Sequence, residues 1–367
     1  MRVSDFEFDL PADLIAQEAV PRGESRLMTL GRSTGALHHG TIADLPALLK
    51  PGDLLVVNDT RVFAARLLGH RVPSGGSVEC LLLGSALGEG DDVPEPPDST
   101  VAAPSAAGAV YDALVHPGQK LKPGALMRFE GEGGVLLGEV LARRFYGRRR
   151  VRLWVESGGT IDDVIDRLGH VPLPPYIKRP DSPVDRERYQ TVFARVRGSV
   201  AAPTAGLHFT PELLDRLEAS GVERASITLH VGYGTFKPVR ADLVEDHVVD
   251  PERYEIGVAA SDAIARARSE GRRVIAVGTT TTRALEDAAI RGGGEVRPGA
   301  AAATVFIHPG FTFRVIDGLL TNFHLPQSSL LMLVSAFADR EHVLAAYAEA
   351  VRMRYRFYSY GDAMLIC

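Results

Sequence analysis

The sequence has little cysteine, no long apolar run and no excess of positive charge. Its 367 residues include two cysteines, Cys80 and Cys367, and no CxxC pair, which argues against a disulfide framework and a cysteine-based zinc site. His38 and His39 are adjacent and would point to opposite faces of a strand, so we expect no metal. The N-terminal residues lack the apolar stretch of a signal peptide, and the apolar run from Leu330 is shorter than a membrane helix. These absences predict a soluble, cytoplasmic protein.

The charge balance excludes one class of nucleic-acid binder. The net charge is −5 at pH 7, so the chain is no strongly basic binding protein, although a local basic face is compatible with it. Hydrophobic residues make up 45% and charged residues 24% of the chain, which is a normal globular balance. The length favours two domains.

The distribution of apolar runs, glycine and proline along the sequence predicts a discontinuous α/β domain with an inserted barrel. The apolar runs Leu54–Val57 and Val274–Val277 are typical of buried strands, and helical segments alternate with such strands after Thr160. Between residues 61 and 154, short apolar runs are separated by Gly and Pro, which favours a small antiparallel β-barrel. We therefore predict an α/β catalytic domain of residues 1–60 and 155–367, with a β-barrel domain of residues 61–154 between them. The low-complexity stretch Glu89–Ala109 predicts a flexible loop in the barrel.

Helix signals are clear at several places. Thr210 followed by Pro211 is typical of a helix start, and Gly221 of a helix stop. The other predicted helices span Pro11–Ala19, Ser261–Glu270, Thr279–Ala289 and Arg340–Arg352.

The segment Gly198–Thr210 is rich in small residues and leads into a predicted helix. Small side chains allow a ligand to approach backbone N–H groups, and a helix N-terminus favours a carboxylate or phosphate. The alternative interpretation is a tight strand-to-helix connection in which Thr210 only caps the helix.

Two further strand ends carry polar residues. His230–Arg240 contains a Gly-x-Gly turn, but it lacks the third glycine and the helix of a dinucleotide site, so its spacing favours a plain hairpin turn. Gly278–Arg283 follows a buried strand with four threonines, which suits a phosphate or a ribose. No acidic pair precedes it, which argues against a phosphoribosyltransferase, and a helix cap is the simpler alternative.

A fourth polar segment, Thr321–Ser329, includes His324. A histidine can act as a general base near neutral pH, although a lone histidine in apolar surroundings is more often a hydrogen-bonded core residue. Basic and aromatic residues alternate in Tyr176–Arg179 and Arg352–Tyr360, a pattern that can contact phosphates and stack bases. Solvated surface charge is the alternative there.

Taken in order, these segments closely resemble the S-adenosylmethionine:tRNA ribosyltransferase-isomerase family of queuosine synthesis. The resemblance runs from Phe6 to the C-terminus, and its most specific part is Ala202–Thr210. The other matching segments are Pro51–Val62, Leu173–Arg179, Arg188–Ala194, His230–Phe236, Thr321–Phe337 and Asp362–Ile366.

The resemblance implies a monomeric enzyme that moves and rearranges the ribosyl part of S-adenosylmethionine onto 7-aminomethyl-7-deazaguanine (preQ1) in the tRNA anticodon. Adenine, methionine and epoxyqueuosine in tRNA are the implied products. S-adenosylmethionine would be a co-substrate, and no true cofactor or metal is implied.

The resemblance also suggests site residues. Expected ligands of S-adenosylmethionine or preQ1 are Asn58, Thr60, Arg61, Ala202, Pro203, Thr204, Ala205, Gly206, Phe209, Thr210, His230, Gly232, Gly234, Thr235, Gly278, Thr279, Thr280, Arg283, Asn322, Gln327 and Ser328. Expected tRNA contacts are Tyr176, Lys178, Arg179, Tyr189, Arg148, Arg149 and Arg150.

The implied chemistry needs a base near pKa 7 and a site that excludes water. His208 and His324 are the first candidates for the base and the acid, with Asp59 in reserve. Two other classes compete: an RNA-binding module without chemistry, and a tRNA methyltransferase. A methyltransferase normally has a Gly-rich loop after its first strand, whereas this chain has Asn58–Arg61 there.

Overall fold

The computed structural model describes residues 1–85, 108–144, 147–236 and 239–367. The described chain forms two compact units, one of Met1–Val62 and Leu173–Cys367, the other of Phe63–Pro172. Most of the predicted loop Glu89–Ala109 lies outside the described residues.

The larger unit is built on a mixed β-sheet. Within the described residues the sheet has nine strands in the order β15-β13-β12-β3-β14-β16-β17-β1-β2. Its strands are β1 (Arg26–Leu30), β2 (Leu37–Thr41), β3 (Leu54–Asn58), β12 (Glu223–Leu229), β13 (Glu252–Ile256), β14 (Val274–Val277), β15 (Gly299–Ala303), β16 (Gly318–Asn322) and β17 (Ala363–Ile366). A separate parallel pair consists of β4 (Thr60–Val62) and β11 (Val196–Ser199).

The centre of the sheet is parallel and buried on both faces. Strands β12, β3, β14 and β16 run parallel to one another. In β3, Leu54 and Val56 belong to one hydrophobic core, whereas Leu55 and Val57 belong to the other. Successive side chains of a strand point to opposite faces, so a strand covered on both sides must be apolar at every position.

Helices cover the two faces. The described helices of this unit are α1 (Leu45–Leu48), α3 (Pro183–Arg188), α4 (Pro211–Ala219), α5 (Val258–Ser269), α6 (Thr279–Arg291), α7 (Ser329–Ala338) and α8 (Arg340–Arg352). Buried residues of α5 to α8 share the core of Leu54, while Leu213 and Leu217 of α4 share the core of Leu55.

The smaller unit contains a closed antiparallel barrel. In the described range its strand order is β10-β7-β6-β5-β8-β9. The elements are β5 (Arg66–Val72), β6 (Ser77–Ser85), β7 (Ala109–His116), β8 (Leu126–Gly131), β9 (Gly134–Arg143), β10 (Arg148–Ser157) and helix α2 (Ile161–Leu168). The mixed α/β architecture and the β-barrel confirm the fold class predicted from the sequence.

Three predicted boundaries differ from the structure. The predicted helix Pro11–Ala19 is only a 3-10 turn, Ala12–Leu14, because the chain beyond it is extended and Ala16 donates its N–H to Phe357. The smaller unit ends at Pro172 and not at 154, because α2 packs against β9 and β10. It begins after Val62, because β4 pairs with β11 in the larger unit.

Candidate active site

A cleft opens where parallel strands of the larger unit end. The loops after β12, β14 and β16 meet there, as expected for open α/β sheets, which bind ligands at the carboxyl ends of their strands. The cleft holds about 550 Å³ of open space, counting the part open to solvent. It is lined by Tyr176, Ala201, Ala202, Pro203, Thr204, Ala205, Val231, Thr235, Gly278, Thr279, Thr280, Thr321, Asn322, His324, Leu330, Tyr358 and Ser359.

The predicted Gly198–Thr210 segment divides into two parts. Ala201–Ala205 lines the cleft, as a ligand-binding loop should. The second part is structural: Phe209 is fully buried, and the Thr210 hydroxyl accepts a hydrogen bond from the Leu213 N–H at 3.1 Å. Gly206 is not among the lining residues, and a methyl group added to it would meet the side chains of Thr191 and Phe193. The capping interpretation therefore describes the second half of the segment, whereas ligand binding by the first half stays a prediction.

The N-terminus of α6 forms another wall. Gly278 precedes the helix with φ +93°, and Thr279 and Thr280 line the cleft. The hydroxyls of Thr281 and Thr282 instead donate to the carbonyls four residues earlier, at 2.7 and 3.2 Å. Only the first two threonines and the first N–H groups of the helix are therefore positioned to meet a ligand.

Arg283 supports the site from behind. Its guanidinium donates to Glu252 at 2.5 Å, and both side chains are buried. Glu252 also accepts the Gly232 N–H at 2.9 Å and the Thr235 hydroxyl at 3.1 Å. Of this turn, Thr235 reaches the lining of the cleft, and Gly234 packs against Asp250. The ion pair thus fixes the turn that presents Thr235.

His324 lines the cleft. Its Nε2 lies 2.9 Å from the Thr321 hydroxyl, and its backbone N–H donates to the Tyr347 hydroxyl at 3.0 Å. Burial lowers the pKa of His324 to about 3, because an imidazolium cation would lose its hydration. The ring is therefore neutral at physiological pH, well below the pKa near 7 that the sequence argument required.

His208 lies behind the lining. Its Nδ1 is 2.8 Å from the Ser25 hydroxyl and its Nε2 is 3.2 Å from the Asn322 amide nitrogen, so both ring nitrogens have partners. Burial lowers the pKa of His208 to about 4, against an opposing effect of Asp362. The imidazole is buried and not among the residues that line the cleft.

Asp59 and its neighbours form a separate group outside the cleft lining. The Asp59 carboxylate accepts from Arg195 at 2.8 Å and from the Thr228 hydroxyl at 2.6 Å. Asn58 bonds the backbone of Leu229 through both amide atoms, at 2.9 Å each.

This group continues to the edge strand β4. The Thr60 hydroxyl lies 2.9 Å from His230 Nδ1, and burial lowers the pKa of His230. Arg61 is exposed. The sequence placed these residues with the ligand, whereas the structure joins them to β12 and β11.

The end of the Thr321–Ser329 segment is also structural. The Ser328 hydroxyl caps α7 by accepting from the Leu331 N–H at 3.2 Å. Gln327 adopts φ +55° and its side chain bonds Glu7. Neither residue lines the cleft.

Aromatic residues close one side of the cleft. The ring centroids of Tyr176 and Tyr358 are 3.9 Å apart, and the Tyr176 hydroxyl is hydrogen-bonded to the Ser359 hydroxyl. Tyr358 has φ +73°, a conformation that non-glycine residues adopt rarely. The sequence assigned Tyr176 to tRNA and missed Leu330, Tyr358 and Ser359, although the basic and aromatic run Arg352–Tyr360 was a signal for two of them.

Most of the predicted tRNA contacts have partners within the protein. Arg179 pairs with Asp185 at 2.7 and 2.9 Å, whereas Lys178 is exposed. Tyr189 is fully buried, and desolvation raises its pKa.

The three arginines of β10 differ from one another. Arg149 is buried and donates to the carbonyls of Gly118 and Leu121 at 3.0 and 3.3 Å. Arg150 lies 3.7 Å from Asp112, and Arg148 is half-buried. Arg149 is thus a structural residue of the barrel.

Two features are absent from the described residues. They contain no group of three or more His, Cys, Asp or Glu side chains that could hold a metal ion. No helix among them is long and apolar enough to cross a membrane.

A mixed α/β domain with a cleft at the ends of its parallel strands is the arrangement in which open α/β sheets bind small ligands. Residues 3–366 match the family described as queuosine biosynthesis protein. The chain belongs to this queuosine biosynthesis family, which confirms the resemblance seen in the sequence.

Relatives in Heliobacterium modesticaldum and Anaeromyxobacter sp. bear the name S-adenosylmethionine:tRNA ribosyltransferase-isomerase. Each is 50% identical over 367 residues; the matches cover 100% of this chain and 100% and 99% of the relatives. A crystal structure of S-adenosylmethionine tRNA ribosyltransferase from Thermotoga maritima is 35% identical, with a TM-score of 0.52 and coverage of 99% of this chain and 100% of that chain. These names confirm the predicted transferase-isomerase class.

Proposed function

We propose that the chain transfers and isomerises the ribosyl part of S-adenosylmethionine onto preQ1 at the wobble position of a tRNA anticodon. The products are epoxyqueuosine in tRNA, adenine and methionine. The enzyme acts in the cytoplasm as a monomer, and S-adenosylmethionine is consumed as a co-substrate without a metal. The observation that carries the proposal is the cleft in which the Ala201–Ala205 loop, the N-terminus of α6 and the end of β16 meet.

The reaction needs a proton acceptor and a dry site. The sulfonium of S-adenosylmethionine acidifies the ribose C5′–H, and a base removes that proton. The electron pair left at C5′ forms a C4′=C5′ double bond as the C4′–O4′ bond breaks, which opens the sugar. O4′ then becomes the carbonyl oxygen at C1′, and adenine leaves from C1′ with assistance from an acid. The aminomethyl group of preQ1 then attacks the opened sugar, and formation of the epoxide expels methionine. Each of these steps is favoured when water is excluded.

The walls of the cleft suit the polar ends of S-adenosylmethionine. The first N–H groups of α6, with Thr279 and Thr280, present positive partial charge to a carboxylate. The small side chains of Ala201–Ala205 leave their backbone open to ribose hydroxyls. Tyr176 and Tyr358 provide flat aromatic surface for a base.

The two histidines differ in what they can do. His324 is neutral and lines the cleft, which is what a proton acceptor requires before it reacts, although its low pKa makes it a weak base. We therefore keep His324 as the candidate base. His208 has both nitrogens engaged and no place in the lining, so we assign it an indirect role. Asp59 is held by Arg195 outside the cleft and is not assigned a catalytic role.

The test is release of adenine from S-adenosylmethionine in the presence of tRNA that carries preQ1. We expect the parent chain to release adenine and methionine, and His324→Ala to lower the rate by at least about 10²-fold, the low end for acid–base catalysis. His38→Ala, which removes an exposed histidine of β2, is the matched control and should keep the parental rate.

Three other results would reject parts of the proposal. Methyl transfer without adenine release would identify a methyltransferase, and tRNA binding without turnover would identify a binding module. A loss smaller than 10²-fold in His324→Ala would remove that residue from the base role.

A further inference from the structure

The orientation of the Asn322 amide is fixed by its partners. Asn322 ends β16 and is 2% exposed. Its Nδ2 donates to the backbone carbonyl of Tyr358 at 3.0 Å and lies 3.2 Å from His208 Nε2. A carbonyl oxygen can only accept, so the nitrogen of the amide must be on that side and the oxygen on the other.

The remaining amide atom has no partner. Asn322 Oδ1 is buried and makes no hydrogen bond within the described residues. Buried acceptors are nearly always satisfied, so an unsatisfied one in a residue that lines a cleft indicates a ligand that completes it. The other atoms of this amide are already used, which leaves Oδ1 as its only point of contact.

His208 reinforces the amide orientation that the Tyr358 carbonyl requires. Because Nε2 of His208 accepts from Asn322 Nδ2, the ring proton must be on Nδ1, where it donates to the Ser25 hydroxyl at 2.8 Å. A ring with a proton on Nε2 would repel the amide group. The burial of His208 favours the uncharged ring that this arrangement requires.

The position of Asn322 relative to α6 indicates which ligand atom it meets. Strands β14 and β16 are parallel neighbours, with Val277 opposite Leu320, and the Gly278 N–H donates to the Leu320 carbonyl at 2.8 Å. Asn322 is therefore about one strand spacing, roughly 4.8 Å, from the chain that begins α6. Because the ammonium and the carboxylate of an α-amino acid are bonded to the same carbon, one such group can reach both an acceptor on Asn322 and the N–H donors at the start of α6.

We propose that Asn322 Oδ1 accepts a hydrogen bond from the α-ammonium group of the methionine part of S-adenosylmethionine, and that His208 is the positioning residue that holds the amide in this orientation. The carboxylate of the same group meets the N-terminus of α6. The assignment rests on the proposed function for the identity of the ligand. In this assignment His208 orients the Asn322 amide and transfers no proton.

The test compares two ligands, S-adenosylmethionine and its analogue without the α-amino group, by calorimetric titration of the full-length enzyme. We expect the parent to prefer S-adenosylmethionine by about 10- to 100-fold, the range for a hydrogen bond to a charged group. Asn322→Ala should lose this preference because its affinity for S-adenosylmethionine falls, while its affinity for the analogue stays the same. If Asn322→Ala is insoluble, Asn322→Ser takes its place in the test, because the serine side chain is too short to reach the α-ammonium group.

Variants of His208 test the positioning role. His208→Met removes the acceptor for Asn322 Nδ2 and should reduce the preference, whereas His208→Gln supplies an amide oxygen near the same place and should restore most of it. Ser335→Ala is the matched control, since Ser335 also has a buried oxygen without a partner but does not line the cleft. It should keep the parental preference.

The outcomes separate this inference from the proposed function. If the parent releases adenine and Asn322→Ala still discriminates between the two ligands, the ammonium subsite is wrong and the function stands. If the parent discriminates between the ligands but releases no adenine, the function is wrong and the subsite stands. Parental discrimination in His208→Met would overturn the positioning role alone.

Discussion

At the scale of single residues, burial changes what the two histidines at the candidate site, His208 and His324, can do. The sequence suggested His208 and His324 as acid and base because histidine titrates near neutral pH. Burial changes that expectation, since it lowers the pKa of His208 to about 4 and that of His324 to about 3. His324 lines the cleft and His208 lies behind the lining, but no sequence pattern reports how far a ring is removed from water.

The depressed pKa values predict a pH-dependent stability. Between the unfolded pKa of about 6.5 and the folded values, the unfolded chain binds protons that the folded chain excludes, so lowering the pH favours unfolding. Each buried histidine should reduce the free energy of unfolding by about 2 kcal/mol between pH 7 and pH 5. Urea unfolding at the two pH values measures the difference. His208→Gln should lose about that much of the pH dependence, whereas His38→Gln, at an exposed position, should behave as the parent. Equal pH dependence in the parent and His208→Gln would contradict the expectation.

Elements with strong local signals were predictable from the sequence, and those decided by distant contacts were not. The strand Val274–Val277 and the helix Arg340–Arg352 are found as predicted, because apolar periodicity fixes both. The segment after Leu14 has helical periodicity but becomes extended, because Phe357, more than 300 residues away, takes its backbone hydrogen bond. Tyr358 joins the cleft for the same reason: distant hydrogen bonds hold its backbone, since Asn322 Nδ2 donates to its carbonyl and its own N–H donates to the Phe323 carbonyl.

The start of α6 provides a prediction at the level of elements. Gly278 has φ +93° beside the cleft, so Gly278→Ala should destabilise the fold by about 1–3 kcal/mol and shift the first N–H groups of α6. Affinity for S-adenosylmethionine should fall by about tenfold or more, the effect of losing one charge-assisted hydrogen bond. Gly271→Ala, after the end of α5, is the matched control: Gly271 has φ +68° and its added methyl would meet open space, while a methyl on Gly278 would make only ordinary contacts with Ala205 and Thr280 at 3.8 Å. Thermal unfolding and calorimetric titration should show destabilisation in both variants and loss of affinity in Gly278→Ala alone. A similar loss of affinity in both would reject this role for Gly278.

At the scale of the whole molecule, the net charge of the chain limits how it can bind a polyanionic tRNA. The net charge of −5 requires any tRNA-binding surface to be local. The sequence identified basic positions but could not show which were already paired, because Asp185 neutralises Arg179 through a contact made only in the folded chain. Arg149 is likewise committed to carbonyls of the barrel.

Lys178 remains the best-placed cation of the predicted set. It is exposed and follows Tyr176, a lining residue, by two positions, which limits the Cα separation to about 7 Å. If Lys178 contacts a phosphate, Lys178→Gln should weaken tRNA binding and reduce the slope of log K against log salt by about 0.7–0.9. Lys50→Gln is the matched control, because Lys50 is equally exposed but precedes β3 at the opposite end of the strand from the cleft. Binding titrations at several salt concentrations measure both. Because Arg149 has a structural role, we expect a different result for Arg149→Gln. This variant should lower the melting temperature of the barrel unit, while the slope of log K against log salt stays that of the parent. An unchanged slope in Lys178→Gln would move the phosphate-binding surface elsewhere on the molecule.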